Sequence, residues 1–271
     1  MSAPEPFTLI PSAPGTRASL LFLCDHASNA MPAEYGNLGL APGLFKTHIA
    51  YDIGAAIVTR GLAEAYGAAA LLGGTSRLLI DLNRGPDDPT LVMKLSDGSI
   101  IPGNRGADAA ELARRLAHFH APYHAAIRDQ ITRIESLPSA RDSALAGEMG
   151  VATSRGCEAQ RGPILISMHS FTPAWKGVQR PWEMGVLYGR DARLAKPLMK
   201  HLKVAGFAVG DNEPYTGALE GDTLDTHGTK TGHANVLIET RQDFLDETEK
   251  ARAFADRLKP VLDAALKDME N

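Results

Sequence analysis

Cysteine is almost missing from this chain of 271 residues. Cys24 and Cys157 stand far apart, outside any Cys-x-x-Cys or Cys/His spacing, which argues against a disulfide scaffold or a structural zinc knot and suits a reducing compartment. A charge excess is missing as well. The 28 basic and 32 acidic residues leave a net charge of −4 with no Lys/Arg block, so neither nucleic acid nor an anionic membrane is indicated, and a small molecule is the default partner. No apolar run is long enough to span a bilayer, and the opening Met-Ser-Ala-Pro-Glu-Pro lacks the basic and apolar regions of a signal peptide. These absences lead to the expectation of a soluble cytoplasmic protein. No internal repeat or low-complexity linker is visible, and 44% hydrophobic content is enough for one sizeable core, so one domain over residues 1–271 is expected.

What is present is an alternation of strand-like and helix-like runs, the pattern of a three-layer α/β/α sandwich around a central sheet. Strands are expected at Leu20 to Cys24, Ala68 to Leu72, Leu78 to Leu82, Ile164 to about His169, Gly185 to Tyr188, Phe207 to Val209 and Asn235 to Ile238. Helical spacing of apolar residues predicts helices over Leu44 to Tyr66, Ala109 to Ile134 with a kink or break at Pro122, Leu194 to Ala205, and Leu245 to Met269. Asp108 is a natural N-cap and Gly67 a natural stop. Asp87 to Gly106 and Gly210 to Ala234, rich in Gly, Pro and polar residues, read as long functional loops, and Ser136 to Arg161 as a helix-poor connection.

Chemistry gathers where the strands end. His169 closes the Ile164-Leu165-Ile166 run, and at the carboxyl edge of an open α/β sheet it is either a metal ligand or a satisfied structural histidine. His26 follows the first strand. A zinc hydrolase needs a few neutral or anionic ligands plus a carboxylate that takes the water proton. Glu239, leaving an apolar strand, suits that base, or else pairs with Arg241 two residues on. Asn83 and Arg84 suit a carboxylate clamp, or else serve as a helix cap and a surface salt bridge.

Together these residues resemble a known family. His26 with Asn29, Asp52 with Gly54-Ala55, the run Ser76-Arg77-Leu78-Leu79-Ile80-Asp81-Leu82-Asn83-Arg84, Pro122-Tyr123-His124, Met168-His169-Ser170-Phe171, Asn212 with Pro214-Tyr215, His227-Gly228, and Ile238-Glu239-Thr240-Arg241-Gln242-Asp243 are similar to the N-formylglutamate amidohydrolases. The likeness extends from about residue 20 to about residue 245. It implies a mixed-sheet fold like that of the zinc carboxypeptidases and a Zn2+ or other divalent metal cofactor. The implied reaction is hydrolysis of an N-acyl amino acid, most concretely N-formyl-L-glutamate to formate and L-glutamate.

Carried over by position, the resemblance makes His26 and His169 metal ligands, Glu239 the general base, and Asn83 with Arg84 the substrate-carboxylate anchor. Where the carboxypeptidase pattern has a glutamate three residues after the first histidine, this chain has Asn29, a poor zinc ligand. The third ligand is then Asn29 or Asp52, the latter four residues after His48 on an expected helix. Arg77 is the nearest candidate for holding the oxyanion, with Arg241 in reserve, and Arg241, Tyr215 and His227 are expected to face the substrate. The alternatives are an N-acyl amino acid amidohydrolase or carboxypeptidase-like hydrolase of different acyl specificity, and a metabolite-binding protein without catalysis. The oligomeric state stays open.

Overall fold

Four runs of unbroken burial set the centre of the sheet: Leu20–Cys24 (β2), Ala69–Gly73 (β3), Ile164–Phe171 (β6) and Met184–Leu187 (β9). Side chains apolar on both faces are what a sheet covered on two sides requires. With Phe7–Ile10 (β1), Val209–Asp211 (β10) and Asn235–Arg241 (β11) they form a seven-stranded sheet in the order β1-β3-β2-β6-β11-β9-β10. Strands β3, β2, β6 and β11 run parallel, whereas β1 and the β9–β10 pair run against them, so the sheet is mixed. Two short hairpins, Leu95–Ser96 (β4) with Ser99–Ile100 (β5) and Ala174–Trp175 (β7) with Val178–Gln179 (β8), stand apart from it. The structure, a computed structural model, describes residues 4–14, 19–137 and 162–270.

Helices cover both faces. Phe22, Cys24, Ile166 and Val236 pack under Ala55–Tyr66 (α1), Ala195–Val204 (α5) and Thr248–Glu270 (α6). Leu21, Leu23 and Leu165 point the other way, toward Ala121–Glu135 (α4), which continues from Ala109–Arg115 (α3); Pro102–Arg105 (α2) is a single turn. This division follows from the two-residue period of strands, which sends alternate residues into separate cores. No helix among the described residues is long and apolar enough to cross a membrane.

Several elements depart from the sequence reading, each for a local reason. The helix expected over Leu44 to Tyr66 starts only at Ala55, because Gly54 sits at φ +77° and a Cβ there would lie 2.4 Å from both Leu245 Cβ and Leu245 O. Only glycine tolerates that turn, so His48 and Asp52 are not helical. Leu78 to Leu82, though fully apolar around Asp81, is not a strand. Side chains take its backbone instead: Asn104 Nδ2 donates to Leu78 O at 2.8 Å and Arg115 Nη1 to Leu79 O at 2.8 Å. The long helix is broken as expected near Pro122, but by a π turn at Leu116–His120 directly before α4. Asp108 caps α3, accepting from Glu111 N–H at 2.9 Å. Phe7–Ile10 adds an edge strand that the sequence pattern does not mark, and the loop after Asp87 contains β4, β5 and α2. Of the connection from Ser136 to Arg161, only residues 136 and 137 lie within the described residues, and Cys157 lies outside them.

Candidate active site

Parallel strands β2, β6 and β11 end on the same edge of the sheet, and their carboxyl ends deliver Asp25-His26, His169 and Glu239 together. Glu239 is the register partner of His169. Asp52 reaches the same point from the turn before α1, where its N–H donates to His26 O at 2.9 Å and its carbonyl accepts from Ala55 N–H at 3.2 Å. Ligands bind at such an edge because loops there bring side chains from several strands into one crevice.

His26, Asp52 and His169 are buried and form a compact donor set. Asp52 Oδ2 lies 2.8 Å from His169 Nδ1 and 3.3 Å from His26 Nδ1. A tetrahedral ion with bonds of about 2.0–2.1 Å sets its donors roughly 3.3 Å apart, so this spacing fits a metal such as zinc. The far nitrogens agree: His26 Nε2 is 2.6 Å from Asp81 Oδ1 and His169 Nε2 is 3.1 Å from Asp25 Oδ2. A carboxylate on Nε2 holds the proton there and leaves the Nδ1 lone pair for an ion. Asp25 is itself held by Tyr123 OH at 3.0 Å and Thr223 Oγ1 at 2.8 Å. Asn29 takes no part, since its amide donates to Phe45 O at 2.6 Å.

Electrostatics favour added positive charge. Burial by itself would raise the carboxyl groups of Asp25, Asp52 and Asp81, yet the neighbouring histidines and, for Asp81, Arg77 hold all three well below the usual range. Burial likewise works against a charged His26 and His169, but their aspartate partners win and both are raised. Glu239 goes the other way. Burial first, then the charge of Asp52, pushes it up to about 7, and its Oε2 is buried with no hydrogen-bond partner among the described residues. Arg77 donates to Asp81 Oδ2 at 2.8 Å and to Asp52 Oδ1 at 3.4 Å.

These groups open into a cleft of about 1480 Å³ whose wall also carries Arg77, Asn83, Arg84 and Tyr215. Asn83 Oδ1 accepts from Thr223 N–H at 3.1 Å, which leaves the amide N–H groups for a ligand. Arg84 is braced by Asn83 O at 2.8 Å and Thr90 Oγ1 at 3.2 Å.

A sequence profile of N-formylglutamate amidohydrolase matches residues 18–141 and 146–245. The chain belongs to the N-formylglutamate amidohydrolase family. A gene product of Agrobacterium tumefaciens with a known crystal structure is 29% identical and superposes with a TM-score of 0.84, over 98% of this chain and 97% of that one. An N-formylglutamate amidohydrolase from Ralstonia eutropha is 21% identical, with a TM-score of 0.62 over 99% of this chain and 98% of its own, and shares the fold. No match is found among curated proteins. As a family member the protein is an enzyme, a hydrolase acting on amide bonds.

In this amidohydrolase the structure gathers most of the residues that sequence singled out but, besides Asn29, leaves out Arg241 and His227. Arg241 turns away from the cleft, donating to Asp243 at 2.8 Å and to the carbonyls of Arg180 and Trp182, each at 3.2 Å. It therefore does not pair with Glu239 either. His227 is buried behind the wall, 2.8 Å from His124. Tyr215 does line the cleft, with the Arg180 guanidinium 5.2 Å from its ring centroid. Asp25, Asp81, Tyr123 and Thr223 carry no role in the sequence reading, although a buried Asp beside His26 and another inside Leu79-Ile80-Asp81-Leu82 were the available signals.

Proposed function

We propose that the protein hydrolyses the amide bond of an N-acyl amino acid, N-formyl-L-glutamate foremost, with a divalent metal held by His26, Asp52 and His169. The observation that carries this reading is Glu239, a buried carboxylate with a free oxygen and a raised pKa, set in register beside His169. A base needs affinity for a proton near neutral pH and nothing else occupying it. Zinc, when bound, supplies positive charge that acidifies water and polarises the acyl carbonyl.

The chain's own residues do the rest. Asn83 and Arg84 hold the substrate carboxylate, which brings the acyl carbon toward Glu239. Glu239 takes a proton from the attacking water and passes it to the departing nitrogen. Arg77, on the same wall, balances negative charge that develops on the acyl oxygen. Tyr215, at the cleft mouth, covers the substrate and limits water.

The cleft volume supports a second reading. At about 1480 Å³ it exceeds the roughly 300–1,000 Å³ of most small-molecule sites, so a longer acyl or peptide-linked group fits as well. Metal analysis of the pure protein with turnover assays on formyl-, acetyl- and succinyl-glutamate and on formyl-aspartate tests both. Preference for formyl-glutamate supports the first, preference for the larger acyl group supports the second, and a metal-free protein active on either removes the proposed mechanism.

A further inference from the structure

Asn83 and Arg84 are consecutive, yet both line the cleft. A regular strand cannot do this, because successive side chains point to opposite faces. The segment is accordingly irregular, and its carbonyls, withdrawn from any sheet, still require donors in a buried place. Those donors are histidines. His124 Nε2 lies 3.0 Å from Leu82 O and His120 Nε2 lies 2.9 Å from Arg84 O, while Thr223 Oγ1 sits 3.2 Å from Leu82 O.

A carbonyl only accepts, so each Nε2 carries a proton, and in neutral His124 the Nδ1 is left as an acceptor. His227 Nε2, 2.8 Å away, donates to it. The three rings lie in contact, His120 tilted against His124 with centroids 4.1 Å apart and His227 stacked on His124 with centroids 5.1 Å apart. Spacing of four residues puts His120 and His124 on one helix face, and the π turn ending at His120 precedes it, an irregularity frequent near functional sites. Burial lowers the pKa of all three, which keeps them neutral.

We propose that His120 and His124, the latter oriented by His227, are positioning residues that clamp the backbone of Leu82 to Arg84 so that both anchor side chains meet the substrate carboxylate. The inference rests on the carboxylate-anchor role of Asn83 and Arg84. His124→Phe keeps bulk and removes the donor. It should raise KM for N-formyl-L-glutamate, and the Kd of the unreactive L-glutamate, by roughly 5- to 30-fold, with kcat and metal content little changed. N-formyl-L-glutamine amide, which lacks both carboxylates, should show no such loss. His124→Gln, which retains an N–H, should recover part of the affinity. His120→Phe, acting on the other carbonyl, should behave in the same way and covers the case in which His124→Phe does not fold.

The second readout is coupling. Added to Arg84→Ala, His124→Phe should cost clearly less on N-formyl-L-glutamate than it does in the wild type, because only Asn83 is then left to position. Equal losses on charged and amidated substrates, or full additivity with Arg84→Ala, would overturn the inference while leaving the anchor intact. An Arg84→Ala that itself hurts both substrates equally would overturn the anchor, and the clamp with it.

Discussion

Glu239 is kept where a carboxylate is hard to ionise, and that sets its expected behaviour. Glu239→Gln retains shape but accepts no proton, so turnover should fall by roughly 10²-fold or more while metal content stays near normal. Loss of metal in that variant would make Glu239 a ligand instead of a base. A general base acts only in its ionised form, so with Glu239 in the proposed role kcat/KM in the wild type should rise with pH through an acid limb. Burial pushes the group up to about 7, and a bound cation nearby pulls it down, which puts the limb at pH 7 or below. Arg84 is tested differently. Arg84→Lys preserves charge but loses the planar two-point grip, worth on the order of 1.5–3 kcal/mol, or roughly a 10- to 150-fold drop in kcat/KM. The drop should vanish on the fully amidated substrate, and equal losses on both would mark Arg84 as structural.

At the scale of elements, the turn before α1 and the helix α4 each connect folding to the site. Gly54 lets the chain pass Leu245 and places Asp52 beside both histidines. Gly54→Ala brings together a strained φ and a close backbone contact, so it should cost about 2 kcal/mol of stability and lower metal affinity too. Calorimetric melting and zinc titration would read the two effects; a stable variant with weak zinc binding would separate them. His124, on α4, and His227, packed against it, supply a pH effect. An unfolded histidine titrates near 6.5, whereas His124 is pushed down to about 3 and His227 to about 4, each mainly by burial. Between those values the unfolded chain binds more protons, so this contribution is complete above about pH 6.5 and is lost as pH falls through the window. The urea midpoint of the wild type should therefore fall more from pH 7.5 to 5.5 than that of His124→Gln, and parallel curves would refute it.

Across the whole molecule, the edge formed by β2, β6 and β11 concentrates Asp25, Asp52, Asp81 and Glu239 beside the partly buried guanidinium of Arg77. Such a site gains from a cation. A metal bound only by the native state at a hundredfold excess over Kd stabilises it by about 2.7 kcal/mol, so zinc added after chelation should raise Tm, and should not do so in His169→Ala. Because the aspartates raise His26 and His169, protons compete with metal at both, and zinc affinity should fall from pH 8 to pH 6. A pH-independent affinity would place the ion elsewhere.

Sequence by itself determined the α/β alternation, the strands at Leu20 and Ile164, and the family, because apolar period and short motifs are local properties. It also picked out His26, His169 and Glu239, since each lies at or just past the end of a largely apolar run. Tertiary structure decided what local pattern cannot express. Asp52 joins the histidines through a glycine turn whose necessity depends on Leu245, 191 residues later in the chain than Gly54. Leu78 to Leu82 carries the composition of a strand but gives its carbonyls to Asn104, Arg115 and His124, and the irregular backbone that follows lets the adjacent Asn83 and Arg84 both line one cleft. His227 is turned from the site by His124, and Arg241, besides its neighbour Asp243, by the carbonyls of Arg180 and Trp182, long-range partners that only the folded chain brings into reach.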